Sequence, residues 1–354
     1  MDLNSRNYGV DLFRIVLTYM VCLLHTLGRG GLLNSCVQKT INYNVLWFLE
    51  IMAYCAVDGY GLISGFTAKE NKTLNVQKII LMWLQVFFYS FILTLLFYII
   101  GFDNQIDIKT FFKSLIPVST CTYWYFSAYF PLVIFEPIIV KTLNLLNNEQ
   151  LIRLFILILG FFSFSGSISD AYKIEKGYSF IWLLELFVLG YILKRLNLFS
   201  NWKKEKLLFY SFAMNIITFI SFIFVKTDKL INYVSPTILF CAMFQLIYFS
   251  KLKPKVNLIK LLSPLTFGIY LFQNNLVVWK KMENAFVFIL KYKTLIVLIY
   301  VFVIAFLIFF IGSIVEKLRI CLFKFLNIDS LSIRIEKNIL RILKYFEKTI
   351  NCLK

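Results

Sequence analysis

The sequence predicts an all-α polytopic membrane protein, a helical bundle of about ten transmembrane helices with both termini in the cytoplasm. Hydrophobic residues make up 60% of the chain and charged residues 16%, whereas soluble domains hold about 45–50% and about 25%. The mean hydropathy is +0.76. Apolar runs of membrane-spanning length recur from residue 10 to residue 315, separated by short polar segments. A water-soluble fold could not bury this much apolar surface.

The apolar windows define the expected spans. The fifth and sixth windows are short for a hydrocarbon core of about 30 Å, which fits tilted or kinked helices. The ten windows lie at 10–27, 45–66, 79–101, 124–143, 151–165, 180–194, 207–225, 234–250, 262–279 and 294–315.

The orientation follows from the basic residues of alternate loops. With the N-terminus inside, cytoplasmic segments hold about 24 Lys and Arg and outer segments about 12. The first apolar stretch carries Asp11, Arg14 and His25 and lacks a small-residue cleavage site, so we expect it to remain in the mature protein. We therefore expect a multi-pass protein of the cell (plasma or inner) membrane.

The sequence predicts one membrane domain, residues 1–315, followed by a cytoplasmic tail, residues 316–354. It contains no internal repeat, linker or glycine-rich phosphate loop that would indicate a further division. Apolar and basic residues of the tail alternate as in an amphipathic helix that lies on the inner membrane surface. The net charge of +18 is spread over every loop, which favours contact with anionic membrane lipids and not with nucleic acid.

The cysteines and the histidine content argue against a metal centre. Seven scattered cysteines form no Cys-x-x-Cys pair, and His25 is the only histidine in the chain. We therefore expect neither a disulfide framework nor a bound metal.

Ionisable residues inside a membrane span are functional candidates, because each costs several kcal/mol unless it faces a cavity or a partner. In the first span Asp11, Arg14, Thr18 and His25 share one helical stripe. The stripe fits a polar channel in which Arg14 holds an anionic ligand and His25, about 16 Å further along, acts as a base. It fits equally an Asp11–Arg14 pair that fixes the helix end and a histidine bonded to a backbone carbonyl.

Three other segments carry polar or aromatic residues in apolar surroundings. Asp58 precedes the small residues Gly59, Gly61, Ser64 and Gly65, which suit close packing of a helix or a ligand. The aromatic run 123–126 fits an interfacial belt or a sugar-binding mouth. Glu136 stands before a proline inside the fourth span, where its carboxylate needs a partner.

These segments, in this order, resemble the membrane-bound acyltransferase-3 family, whose members O-acylate sugars of surface polysaccharides and some small molecules. The similar motifs are Asp11-Leu-Phe-Arg14 with the later His25, the stretch from Ala56 to Phe66, Tyr123-Trp124 through Tyr129 to Glu136-Pro137, and Ser263-Pro-Leu-Thr266-Phe-Gly268-Ile-Tyr270-Leu271.

The resemblance implies an O-acyltransferase, first of all an O-acetyltransferase, that moves an acyl group from cytoplasmic acetyl-coenzyme A to a hydroxyl of a cell-surface or lipid-linked glycan. The implied catalytic residues are His25, Asp11 and Arg14, with His25 either deprotonating the acceptor or carrying the acyl group. Arg14, Lys69, Lys72 and Lys78 would bind coenzyme A. The implied substrate-binding residues are Asp58, Ser64, Trp124, Tyr129, Glu136, Tyr270 and Gln273.

The chain departs from the family pattern at two places. Gln273 stands where many members carry a histidine, and it can hydrogen-bond a substrate but cannot act as a base. Lysines replace paired arginines in the loop after the second span and lack their bidentate fork. Two alternatives from other classes remain: a flippase or transporter for lipid-linked glycans, and a glycan polymerase or glycosyltransferase.

Overall fold

The computed structural model describes residues 6–69, 73–102, 107–170, 172–225 and 230–352. The structure is 80% helical and contains no strand within these ranges, which confirms the all-α prediction. The helices are α1 Tyr8–Leu27, α2 Leu32–Ser35, α3 Ile41–Phe66, α4 Val76–Ile99, α5 Ile108–Leu115, α6 Trp124–Leu145, α7 Asn148–Ile168, α8 Phe180–Arg195, α9 Lys204–Val225, α10 Pro236–Ser250, α11 Val256–Gln273, α12 Leu276–Met282, α13 Thr294–Phe325 and α14 Ile328–Cys352.

Eight helical segments within the described ranges are long and apolar enough to cross a membrane. The sixth and eighth predicted windows correspond to the shorter helices α8 and α10, whose side chains lie mostly in the core of the bundle. The ninth predicted window, 262–279, is wrong as a single span. Helix α11 ends at Gln273, and Asn275 caps a new helix by accepting bonds from the backbone N–H groups of Val277 and Val278.

Helix α3 lies at the centre of the bundle and packs against α1, α8 and α10. Its closest neighbour is α8, because both helices have glycine at the contact. A Cβ atom on Gly65 would stand 1.8 Å from the carbonyl oxygen of Phe187, and one on Gly190 would stand 2.0 Å from that of Leu62. The small residues that follow Asp58 therefore serve helix packing at this position, one of the two uses that the sequence predicts.

A π-helical turn over Phe88–Ile92 in α4 fixes the break between α11 and α12. The side-chain amide of Asn275 donates to the carbonyl oxygen of Tyr89 at 2.7 Å and to the hydroxyl of Thr94 at 3.0 Å. These bonds hold the end of α11, and with it Gln273, against α4.

A buried ion pair joins α4 and α13. Arg319 donates two hydrogen bonds to the carboxylate of Glu316, at 2.7 and 2.8 Å, and Tyr89 and Gln85 each donate one more, at 2.8 and 3.0 Å. Glu316 is 1% exposed and Arg319 is 9% exposed. Helix α13 thus continues past residue 315, where the sequence puts the start of the tail, because the charges of Glu316 and Arg319 compensate each other inside the bundle.

The last helix, α14, packs along α4. The backbone N–H of Gln77 donates to Glu336 at 3.2 Å, and the side-chain amide of Gln77 donates to the hydroxyl of Ser332 at 3.3 Å. Leu331, Ile342 and Leu343 of α14 are exposed. The amphipathic pattern predicted for the tail also includes Phe346 and Lys348, whose side chains lie outside the part that the structure describes. The inner-surface location of α14 remains a prediction.

Replacing Glu316 by Ala should destabilise the protein, because it leaves the Arg319 guanidinium buried without its partner. The expected cost is about 3–5 kcal/mol, against roughly 0–0.5 kcal/mol for Glu149→Ala, which breaks the exposed Glu149–Arg153 pair. Thermal unfolding of both purified variants in the same detergent measures the difference. Equal unfolding temperatures would contradict a stabilising role for the buried pair.

Candidate functional site

A cavity of 1070 Å³ extends between α1, α3, α6 and α11. One end is lined by Arg14, Lys69 and Lys78 and is called the basic end here; the other is lined by Trp124, Tyr178 and Tyr233 and is called the aromatic end. The volume lies at the upper limit of small-molecule sites, about 300–1000 Å³. It therefore offers room for two substrates that meet inside the bundle.

Asp11 organises the basic end. Its carboxylate is 2% exposed and accepts bonds of 2.6 Å from Arg14 and 2.6 Å from Arg6. The hydrogen bond to Asp11 raises the pKa of Arg6. Arg14 also donates to the hydroxyl of Thr67 at 3.4 Å, which directs its guanidinium toward the end of α3. The Asp11–Arg14 pair of the sequence interpretation is present, and Arg14 still lines the cavity.

Hydroxyl groups line the cavity between the basic end and the histidine. Thr18 donates to the carbonyl oxygen of Arg14 at 2.8 Å, and Tyr60 of α3 donates to the same carbonyl at 2.9 Å. Ser64 donates to the carbonyl oxygen of Tyr60 at 3.0 Å and contacts the hydroxyl of Tyr129 at 3.5 Å. These bonds fix the register of α1 against α3 along the cavity wall.

His25 lines the cavity further along the same stripe of α1. Its Nδ1 lies 3.0 Å from the amide oxygen of Gln273, and its ring packs edge-on against Trp279 at a centroid distance of 4.8 Å. When the amide oxygen of Gln273 accepts from Nδ1, the proton is on Nδ1 and the lone pair is on Nε2. Nε2 makes no hydrogen bond to any residue that the structure describes. Nε2 is therefore the ring nitrogen that is free to contact a molecule in the cavity.

Gln273 does not lie at the cavity, where the sequence interpretation predicted a substrate-binding residue. Gln273 is fully buried behind His25 and is absent from the cavity lining. Its side chain contacts the histidine, because the break after α11 turns it toward α1, and this position does not support the predicted contact with a substrate. The histidine bond to a backbone carbonyl, which the sequence also allowed, is replaced by this side-chain bond.

Asp58 likewise does not line the cavity. It is fully buried between α3 and α8, where the indole N–H of Trp182 donates to its carboxylate at 3.0 Å. The prediction that it binds substrate is not supported by this position. On α3 its neighbours Val57 and Tyr60 face the cavity, and Asp58 points to the opposite side.

The other predicted residues are mostly assembled at the cavity. The lining includes Lys69 and Lys78 at the basic end and, further along, Ser64, Trp124, Tyr129, Glu136 and Tyr270. The hydroxyl of Tyr270 has no hydrogen-bond partner among the described residues. Lys72 lies outside the described residues.

Sequence reasoning missed several residues of the aromatic end. Tyr178 and Tyr233 come from loops with no motif, and only the fold brings them to Trp124, at ring centroid distances of 4.5 and 6.0 Å. Glu50 also lines the cavity. Its spacing of four residues from Tyr54 puts Glu50 and Tyr54 on one helical face, a signal that was present in the sequence.

Together these features define a multi-pass membrane protein with a partly buried histidine that faces a two-ended internal cavity. Residues 7–315 match the family model of the acyltransferase-3 domain, described as an acyltransferase domain. The match covers most of the chain, so this protein belongs to the membrane acyltransferase-3 family and is a membrane acyltransferase. No curated protein and no solved structure gives a significant match.

Removing the acceptor that holds His25 should slow transfer. In Gln273→Leu the imidazole loses its bond at Nδ1, and we expect turnover to fall about 100-fold with little change in the KM for the acyl donor. Gln273→Glu keeps an acceptor oxygen and should retain more activity than the leucine variant. Acyl-transfer kinetics of the three proteins measure this. A leucine variant within threefold of the unaltered enzyme would contradict the positioning role.

Proposed function

We propose that this acyltransferase transfers an acyl group, first of all acetyl, from acyl-coenzyme A to a hydroxyl of a surface or lipid-linked glycan. The observation that carries the proposal is the single cavity in which His25 lies between a basic and an aromatic end. A thioester donor with phosphate groups and a sugar acceptor require these two different ends.

The basic end suits the phosphates of coenzyme A. Arg14, Lys69 and Lys78 line it, and Asp11 neutralises only part of their charge. Arg14 can form bidentate bonds to phosphate, while the lysines act as point charges. Seated there, the donor would direct its thioester toward His25, about 16 Å further along α1.

Two routes are open to His25. In direct transfer, Nε2 takes the proton of the acceptor hydroxyl, the hydroxyl oxygen attacks the thioester carbonyl, and the coenzyme A thiolate leaves and recovers the proton. In the other route Nε2 attacks the thioester carbonyl first and displaces the coenzyme A thiolate to form an N-acyl histidine. The acceptor hydroxyl then takes the acyl group, its proton goes to the thiolate, and the histidine is restored. Gln273 holds the ring for either route through Nδ1.

The orientation completes the proposal. Coenzyme A thioesters are cytoplasmic, so the basic end would open to the cytoplasm, as the distribution of basic residues predicts. The aromatic end would then open to the outer face, where the glycan is presented. The location would be the cell membrane, with anionic lipids around the basic loops.

Mass spectrometry of the host's surface glycans tests the proposal. Deletion of the gene should remove an acyl mass increment, and the intact gene should restore it. His25→Ala should not restore it at equal membrane level, because no other histidine exists. Asn215→Ala is the matched control, since Asn215 is a buried polar residue outside the cavity, and it should restore acylation.

Other outcomes would contradict the proposal. Unchanged acylation with less or shorter glycan in the deletion strain would favour the flippase or polymerase alternative. Restored acylation with His25→Ala would remove the role of the histidine.

A further inference from the structure

Glu50 is a buried carboxylate whose position lacks a structural explanation. It lines the cavity, is 8% exposed, and its Oε2 atom has no hydrogen-bond partner within the described residues. A buried carboxylate is costly unless hydrogen-bonded. Glu316, which is also buried, receives four hydrogen bonds. The open acceptor oxygen of Glu50 therefore indicates a ligand that donates hydrogen bonds.

Next to Glu50 stands an aromatic wall, the contiguous rings of Tyr54, Tyr233, Tyr178 and Trp124. Their centroid distances are 4.8 Å for Tyr54–Tyr233 and 5.1 Å for Tyr178–Tyr233. Trp124 lies nearly parallel to Tyr233, at an interplanar angle of 16°. Glu50 is near enough to Tyr233 to interact with it electrostatically.

The form of this wall distinguishes between ligands. The rings pack against each other and present a surface, whereas an ammonium group is held by rings that surround an empty centre. A surface of aromatic faces suits the apolar C–H face of a pyranose ring, whose hydroxyls point outward at its edge. A carboxylate at the rim of the surface can accept bonds from those hydroxyls.

The register of α1 and α3 puts this wall next to His25. The helices run antiparallel, with Arg14 bonded to Thr67 and Thr18 in contact with Tyr60. Toward the aromatic end, residue numbers therefore rise along α1 and fall along α3. His25 lies near the level of Tyr54, and Glu50 lies one turn, about 6 Å, further out.

We propose that Glu50 and the aromatic wall form the acceptor subsite for an uncharged pyranose unit, and that the Glu50 carboxylate excludes acidic sugars. The proposal rests on the proposed function and adds the class of acceptor. A neutral sugar donates its hydroxyls to Oε2 and presents another hydroxyl to His25. A uronic acid, a sialic acid or a sugar phosphate would bring an anion into this desolvated part of the cavity beside an acidic side chain, which supplies no positive charge to compensate it.

Equilibrium binding tests the subsite without requiring transfer. The probes are methyl glycosides of glucose, galactose and mannose, and the methyl glucuronide and galacturonide that carry a carboxylate in place of the CH₂OH group. Binding to the purified full-length protein in lipid nanodiscs, in the absence of acetyl-coenzyme A, is measured by isothermal titration. The variants are Glu50→Gln and, as the matched control, Glu185→Gln, which changes a partly buried carboxylate of α8 outside the cavity.

We expect the unaltered protein to bind at least one neutral glycoside more than tenfold tighter than its uronide partner. Glu50→Gln should weaken the binding of the neutral glycoside about tenfold. The ratio of the dissociation constants of the two glycosides should then be close to one. Glu185→Gln should keep both constants. Misfolding would weaken the binding of both glycosides and so would not by itself change the ratio. Because Oε2 of Glu50 has no hydrogen-bond partner to lose, we expect Glu50→Gln to unfold at no lower temperature than the unaltered protein.

Three results would overturn the subsite: no binding of any neutral glycoside, equal binding of the glucuronide, or an unchanged ratio in Glu50→Gln. Tighter binding of a methyl glucosaminide than of the glucoside would indicate a site that binds a cation and not an uncharged pyranose. Failure of the acyl-transfer proposal is recognised separately, because it appears in the glycan masses of the His25→Ala strain and leaves these binding constants unaffected.

Discussion

The cost of placing charge in a lipid bilayer, several kcal/mol for each unpaired group, governs where the ionisable side chains of this bundle lie. Asp11 is buried between Arg6 and Arg14, and Glu316 is buried against Arg319, so these charges are compensated. Glu50 and Asp58 each leave one carboxylate oxygen without a hydrogen-bond partner among the described residues, and of these two only Glu50 lines the cavity. These ion pairs compensate charge at α1 and within α13, and a ligand is proposed to supply the partner that Glu50 lacks.

Under the proposed function, the cavity would bring the acyl donor and the acceptor together in one membrane domain. A single helix, α1, carries the cation of the basic end and the histidine, so their separation is set by helical rise and does not depend on the loops. The histidine in turn depends on a break in the structure: the π-helical turn in α4 frees the carbonyl of Tyr89, which binds Asn275, and the resulting end of α11 brings Gln273 to the ring. The reactive nitrogen is thus positioned by long-range contacts.

Much of the fold was predictable because membrane spans leave a strong local signal, and most predicted windows coincide with helices. The ninth window failed because an Asn cap inside an apolar run interrupts the helix without changing its hydropathy. At the site, the stripe from Asp11 to His25 was readable from helical spacing. Gln273 and Asp58 do not line the cavity as predicted, because spacing indicates that a residue is buried but not which neighbour it contacts. The aromatic end needed the tertiary fold, since Tyr178 and Tyr233 lie on separate loops.

The central claim is that donor and acceptor enter the cavity from opposite faces of the membrane, and sealed proteoliposomes test it most directly. In the first arrangement acetyl-coenzyme A is enclosed in the lumen and a glycoside acceptor is supplied outside. In the second arrangement both substrates are supplied outside and the lumen contains neither. The account predicts acetylated acceptor outside when the substrates are separated, and none when they share the outer compartment. Product formed only when both substrates are on the same side would contradict transfer through a membrane-spanning cavity.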